Sequence, residues 1–161
     1  MVGDLVSLSV FLLLCFAAAT SGAVFKPGAW YDSLTKPSWT PPDWLFPVAW
    51  TVLYVAIAVS AWLVWRAAGL AEGMLALAVW LIQLVLNAAW SWLFFGLRRM
   101  DLAFVEVLGL WASILGCIVL FAPLSSVAAL LMVPYLVWVS FAAALNLAVW
   151  QANRDAVRRT A

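Results

Sequence analysis

Histidine is absent from this 161-residue chain, and charged residues make up only 9% of it. Without histidine, Ser-His-Asp and Cys-His catalysis, histidine-ligated metal sites and histidine-ligated haem are all excluded. Soluble domains are about 25% charged and about 45–50% apolar, whereas this chain is 68% apolar. A water-soluble domain is therefore excluded, and a disordered chain is excluded by the same composition. We predict a polytopic membrane protein.

Cysteine is scarce, and the net charge is close to zero. Cys15 and Cys117 are the two cysteines, and both fall within apolar runs. We expect them to pack as small hydrophobic side chains, because their spacing matches neither a metal site nor a disulfide framework. A net charge of +1 creates no field that would favour nucleic acid. Neither a metal nor a nucleic-acid partner is expected.

Long apolar runs dominate the sequence. A bilayer core requires about 20 apolar residues per helix, and five such runs occupy most of the chain. They lack the alternation of barrel strands, so helices are predicted. We predict an all-α, five-transmembrane-helix bundle that forms one membrane domain over residues 1–161, with the first run retained as a span. The predicted spans are 5–25, 44–65, 74–96, 102–121 and 127–150.

Lysine and arginine are distributed unevenly between the two sides that five spans define. Only Arg66 lies on the side of the N-terminus, whereas seven basic residues lie on the other side. The positive-inside rule therefore predicts that the N-terminus is outside and the C-terminus is cytoplasmic. The seven basic residues are Lys26, Lys36, Arg98, Arg99, Arg154, Arg158 and Arg159.

One connection, residues 26–43, is much longer than the others. Loops of this length are usually functional or disordered, and this one is rich in aromatic residues, including Trp30, Tyr31 and Trp39. Its prolines stiffen it. We predict an ordered lid packed on the cytoplasmic ends of the helices, with an interfacial aromatic belt as the alternative for its tryptophans.

Polar and aromatic side chains form one-faced series on three of the predicted helices. In the third span, Gln83, Asn87 and Ser91 are four residues apart and share one face. Amides in hydrocarbon are costly unless they are paired, so this face should point into the protein. It would serve either hydrogen bonding between helices or contact with a ligand. The other series are Trp50 and Tyr54 in the second span, and Tyr135, Trp138, Ala142 and Asn146 in the fifth.

The helical rise places these series in one layer. At about 1.5 Å per residue, Trp50 lies about 9 Å, Asn87 about 13 Å and Asn146 about 6 Å below the cytoplasmic ends of their spans. The layer lies directly beneath the aromatic loop. A mostly apolar cavity with a few convergent polar groups is therefore the predicted binding site. Glu106, near the start of the fourth span, is predicted to snorkel to the interface.

Several motifs together resemble the signature of the tryptophan-rich sensory protein / translocator protein family (TspO/MBR). The resemblance covers nearly the whole chain and is strongest to the bacterial members. In the loop and second span the matching residues are Trp30-Tyr31, Leu34, Lys36-Pro37, Trp39, Pro41-Pro42, Trp44, Phe46-Pro47, Trp50-Thr51 and Leu53-Tyr54. In the third they are Gln83-Leu84, Leu86-Asn87, Trp90-Ser91 and Phe94-Phe95-Gly96, and in the fifth Pro134-Tyr135-Leu136, Trp138, Leu145-Asn146, Trp150 and Asn153.

The resemblance implies a five-helix bundle, often a homodimer, with a ligand pocket under the first loop. It implies binding of porphyrins such as protoporphyrin IX, and in some members of sterols and of benzodiazepine-type or isoquinoline-carboxamide drugs. The cholesterol motif needs a tyrosine near the end of the fifth helix, and none follows Tyr135, which argues against high-affinity sterol binding. By motif position, the pocket residues are Trp50, Tyr54, Asn87, Trp90, Trp138, Ala142 and Asn146, and the lid residues are Trp30, Lys36 and Trp39.

The leading functional hypothesis is a membrane receptor or sensor for tetrapyrroles that regulates tetrapyrrole or stress responses. Tryptophan faces suit a porphyrin ring, and Lys26, Lys36 or Arg98 at the rim would pair with its carboxylates. No cofactor is required, because a metal-free porphyrin has no axial ligand. One alternative is light- and oxygen-dependent porphyrin breakdown through Trp50 and Trp138. Another is transport, although no inverted repeat is visible. The predicted location is the bacterial cell membrane, with the outer membrane as the alternative.

Overall fold

The computed structural model describes residues 2–154, and within that range the chain is helical with no strand. This confirms the all-α prediction. Arg158 and Arg159 lie outside the described residues. The helices are α1 (Val2–Val24), α2 (Ala29–Asp32), α3 (Leu45–Ser91), α4 (Met100–Phe121) and α5 (Ser126–Ala152), and a π-helical turn (Trp92–Gly96) follows α3.

The long helices present apolar side chains on their outer surface. Leu13, Val85 and Val119 are 65%, 68% and 63% exposed, and similar side chains cover the outer faces of all four long helices. Water does not tolerate apolar surface of this extent, whereas lipid does. The chain is therefore an integral membrane protein. The segments long and apolar enough to cross a membrane are Gly3–Val24, Leu45–Gly96, Met100–Phe121 and Ser126–Ala152.

The predicted second and third spans both lie within α3, where they form two helical segments joined by a turn at one residue. Within α3, the backbone leaves helical geometry at Gly69, where φ is 61° and ψ is −159°. Only glycine adopts this region readily. Residues 45–68 are called α3a below, and residues 70–91 are called α3b.

α3a and α3b pack against each other as a hairpin. The indole N–H of Trp80 donates to the carbonyl of Ile57 at 3.1 Å, and the hydroxyl of Tyr54 donates to the side-chain carbonyl of Asn87. In each pair, the two residues lie nearly the same distance in sequence on either side of Gly69. The chain therefore turns at this glycine and returns beside itself.

The two ends of the bundle differ in the number of basic residues that they carry. At one end, Arg66 pairs with Asp4 of α1 at 3.2 Å. At the other, Asn153 is hydrogen-bonded to Thr35 of residues 26–43, which are called the lid loop below. The lid loop includes the short helix α2. The described basic residues at the lid end are Lys26, Lys36, Arg98, Arg99 and Arg154.

The turn at Gly69 predicts a stability difference between two glycine substitutions. Gly69→Ala should destabilise the protein by about 1–3 kcal/mol, because alanine is strained in this backbone region. Nothing lies within 4 Å of a Cβ added at Gly69 or at Gly109 in α4, so the added methyl group meets no steric conflict at either position. Gly109→Ala should be neutral or stabilising by about 0.5–1 kcal/mol. Unfolding of both variants in one detergent system tests this, and equal stabilities would contradict it.

Candidate functional site

A cavity of about 1050 Å³ lies beneath the lid loop and between the long helices. Ligand pockets usually measure about 300–1,000 Å³, so this one accepts a large molecule. Its wall is mostly apolar and aromatic. The lining includes Leu12, Cys15, Phe16 and Ala19 of α1, Phe46, Trp50 and Tyr54 of α3a, Asn87, Trp90 and Ser91 of α3b, Val107 and Leu110 of α4, and Trp138, Ala142 and Asn146 of α5.

Seven of the nine predicted ligand contacts line this one cavity. They come from α3a, α3b and α5, so the structure brings together the three series that the helical rise places in one layer. Their role in ligand binding stays a prediction. The seven residues are Trp50, Tyr54, Asn87, Trp90, Trp138, Ala142 and Asn146.

The two predicted contacts from the lid loop, Trp30 and Trp39, do not line the cavity. The ring of Trp30 meets Phe94 edge-on, with 6.0 Å between centroids. The ring of Trp39 meets Phe141 at 5.7 Å. These tryptophans therefore hold the lid loop against the π-helical turn and α5, and their contribution is to the lid rather than to the cavity wall.

The three predicted rim cations are placed differently. Lys26 lines the mouth of the cavity. The ammonium of Lys36 lies 4.2 Å from the ring centroid of Tyr31, and the guanidinium of Arg98 lies 5.7 Å from that of Trp30. Both are cation–π contacts within the lid end of the bundle, so Lys26 alone of the three faces the cavity.

Tyr31 and Asp43 line the mouth as well, and the predicted contacts included neither. Burial, with smaller effects of Asp43 and Asp32, raises the pKa of the Tyr31 phenol above its ordinary value, so the hydroxyl stays neutral. With Lys26 and Asp43 together, the mouth carries both signs of charge. Tyr31 belongs to the Trp-Tyr motif of the loop, and this motif was the one feature of the sequence that could have identified it as a site residue.

A hydrogen-bonded chain joins three helices at the cavity wall. The hydroxyl of Tyr54 donates to the side-chain carbonyl of Asn87, and the Asn87 amide donates to the hydroxyl of Tyr135 at 2.8 Å. Asn87 is only 6% exposed. Its amide therefore joins α3a, α3b and α5, as the first alternative for this stripe predicted, and it also lines the cavity.

Asn146 makes a second junction. Its amide donates to the carbonyl of Met100 at 2.9 Å, and its side-chain carbonyl accepts from the indole of Trp90 at 3.2 Å. This side chain therefore connects α5 to the end of α3b and to the start of α4. Gln83 differs, because its buried amide finds no hydrogen-bond partner within residues 2–154 and does not line the cavity.

Trp50 is the centre of an aromatic cluster on the cavity wall. Its ring lies 5.5 Å from that of Tyr54, and it meets Tyr135 and Trp138 edge-on at 6.1 and 6.4 Å. Trp138 in turn meets Phe46 at 5.9 Å. Contacts of this geometry are favourable between aromatic rings, so the cluster forms a continuous aromatic part of the cavity wall.

α1 forms part of the cavity wall, although no sequence motif indicated this. Cys15 is 2% exposed and lines the cavity, whereas Cys117 is fully buried in the apolar core. Leu13 and Phe16 also line the cavity, yet they are 65% and 69% exposed on the outer surface. Val55 of α3a is similar. α1 and α3a therefore contribute side chains to the cavity wall that are also exposed.

Glu106 was predicted to snorkel to the membrane interface, but its carboxylate is buried inside the bundle. Both of its carboxylate oxygens are buried, and they have no hydrogen-bond partner among the described residues. Although Glu106 lies close to the start of its helix, the packing of the bundle covers these oxygens.

The sequence matches the TspO/MBR family over residues 11–151. It is 44% identical to "Protein CrtK" of Rhodobacter capsulatus over 90% of this chain and 91% of that protein. It is 41% identical to the "Tryptophan-rich sensory protein" of Cereibacter sphaeroides over 89% of each chain. Against the human "Translocator protein", the identity is 38% over 77% of this chain and 75% of the relative.

Proposed function

The chain belongs to the TspO/MBR family, and from that premise we propose that it is a membrane sensor that binds a metal-free porphyrin beneath the lid loop. The observation that supports this most directly is the cavity of about 1050 Å³, which is walled by tryptophan and has Lys26 at its mouth. A signal to tetrapyrrole or stress responses would follow from occupancy of that cavity.

The chemistry of the wall suits this ligand class. A porphyrin is flat and apolar, and the cluster around Trp50 offers aromatic surface for stacking. Its carboxylates would stay at the mouth, where Lys26 supplies the positive charge. The chain has no histidine for an axial bond to iron, so the metal-free ring is the better candidate. Sterol binding stays disfavoured, because the motif tyrosine is missing.

We also propose five membrane crossings. The segment Leu45–Gly96 has 52 residues, which would extend about 78 Å as a straight helix, against about 30 Å for a bilayer core. Folded at Gly69, it supplies two crossings. The basic residues at the lid end then place that end in the cytoplasm and the N-terminus outside. Location in the bacterial cell membrane and assembly as a homodimer stay predictions.

Porphyrin binding should produce saturable quenching of tryptophan fluorescence when protoporphyrin IX is titrated in. Trp50→Phe and Trp138→Phe should each weaken the affinity by up to roughly 13-fold, because the phenyl ring is smaller than indole and a full aromatic contact corresponds to about 0.5–1.5 kcal/mol. Trp44→Phe is the matched control, since Trp44 is 66% exposed and lies outside the cavity lining. Quenching without saturation, or equal weakening in the control, would contradict the proposal.

The alternative of light- and oxygen-dependent breakdown is supported by one observation. Trp50 and Trp138 meet at 6.4 Å on the cavity wall, so a bound and photo-excited ring would have two oxidisable side chains beside it. Illumination of the porphyrin complex in air, with wild type and Trp138→Phe compared, separates breakdown from sensing. If bound porphyrin breaks down at the same rate as free porphyrin, the breakdown alternative is wrong and only sensing remains proposed. Transport has no comparable structural support, and flux in sealed vesicles would test it.

A further inference from the structure

The end of α5 is joined to the lid loop through a single side chain, Asn153. Its side-chain carbonyl accepts from the backbone N–H of Thr35 at 3.0 Å, and its amide donates to the backbone carbonyl of the same residue at 2.9 Å. The amide also donates to the carbonyl of Val149 at 2.7 Å. Asn153 is 7% exposed, so these bonds are largely shielded from water.

No other hydrogen bond or ion pair between described residues joins the lid loop to α4, α5 or the interior of α1 or α3. The remaining attachments are packing contacts, such as those of Trp30 with Phe94 and Trp39 with Phe141, and the apolar cluster that Tyr31 and Leu34 share with α4 and α5. Among the described residues, the Asn153 pair is therefore the one directional attachment of the lid loop to α5.

We propose that Asn153 is a latch, a positioning residue that keeps the lid loop closed over the cavity and limits the rate of ligand exchange. The inference rests on the proposed ligand-binding function. An asparagine suits this role, because its carboxamide presents a donor and an acceptor to one backbone residue at once. The third bond, to Val149, holds the amide in the required orientation. Val149 itself lines the cavity, so the latch lies one helical turn from the ligand.

Asn153→Ala tests the latch. Two shielded bonds to the lid loop are lost, so release of protoporphyrin IX, measured by stopped flow, should be about tenfold faster. Without any ligand, amide hydrogen exchange of a peptide covering residues 33–40 should rise by a similar factor. Asn153→Asp keeps the acceptor but loses the donors, and it should give an intermediate result.

Two controls separate a latch from a general loss of structure. Gln151→Ala removes an exposed amide from the same helix end. Thr35→Ala leaves the backbone groups that Asn153 contacts in place. Neither should change release or exchange, and exchange in α4 and α5 should match wild type in all four variants.

The outcomes distinguish this inference from the proposed function. If Asn153→Ala matches the controls in both release and lid exchange, the latch is wrong while porphyrin binding stands. If protoporphyrin IX binds no variant but lid exchange still rises in Asn153→Ala alone, the latch is supported and the proposed ligand is wrong. Faster lid exchange with unchanged release would overturn the role of Asn153 in ligand exchange.

Discussion

Replacing Ala142 with phenylalanine is expected to weaken porphyrin binding roughly 5- to 150-fold, which corresponds to about 1–3 kcal/mol of steric conflict. Ala142 lines the cavity on α5, in the same series as Trp138 and Asn146. A benzyl group at this position projects into the space that the ring would occupy. Because that space is empty without ligand, the free protein should keep its stability, and the loss would fall on binding alone.

Ala144→Phe is the matched control for this experiment. Ala144 lies on the same helix two residues further on, exposed on the outer surface and outside the cavity lining. It receives the same added volume, which lipid or detergent accommodates. Titration of protoporphyrin IX into both variants, with thermal unfolding in the same detergent, gives the comparison. Wild-type affinity in Ala142→Phe would place the ligand elsewhere.

Asn146→Leu is expected to have the largest effect on stability, a loss of about 1–4 kcal/mol. The lower bound follows from the average of about 0.6 kcal/mol per hydrogen bond between membrane helices. The upper bound adds about 1–3 kcal/mol for the Trp90 indole, which loses its partner. Leucine has the same branched side-chain skeleton, so the loss reflects the two bonds to Met100 and Trp90 rather than a cavity.

Gln151→Leu is the control for Asn146→Leu, because it makes the same chemical change at an exposed position of α5. It should leave the unfolding transition unchanged. Denaturation in mixed micelles followed by circular dichroism measures both. If the two variants unfold alike, the junction made by Asn146 does not stabilise the bundle.

Much of the fold followed from hydrophobicity alone. The predicted spans 102–121 and 127–150 end within two residues of α4 (Met100–Phe121) and α5 (Ser126–Ala152). The bilayer requires a run of fixed length, and charged or turn-forming residues mark its ends. The same reasoning separated the second and third spans, and a single glycine with positive φ makes the turn between them.

The cavity residues of α3 and α5 were predictable because polar side chains interrupt apolar helices at intervals of four. Asn87 and Asn146 stand out in such a background, and each marks the face that points inward. α1 offered no such contrast. Cys15 and Phe16 lie in a run that is apolar on every side, so no pattern distinguished the cavity wall from the lipid-facing surface.

The amino-acid sequence by itself determined that this is a helical membrane protein, and it determined which residues share a face on each helix. Both properties arise from composition and from the 3.6-residue period, which are local. Only the tertiary structure decided that Trp50 and Trp138 line a cavity while Trp30 and Trp39 hold the lid loop, and that Asn153 pairs with Thr35. These assignments depend on which faces meet, because burial and hydrogen bonding between residues distant in sequence exist only once the helices have packed.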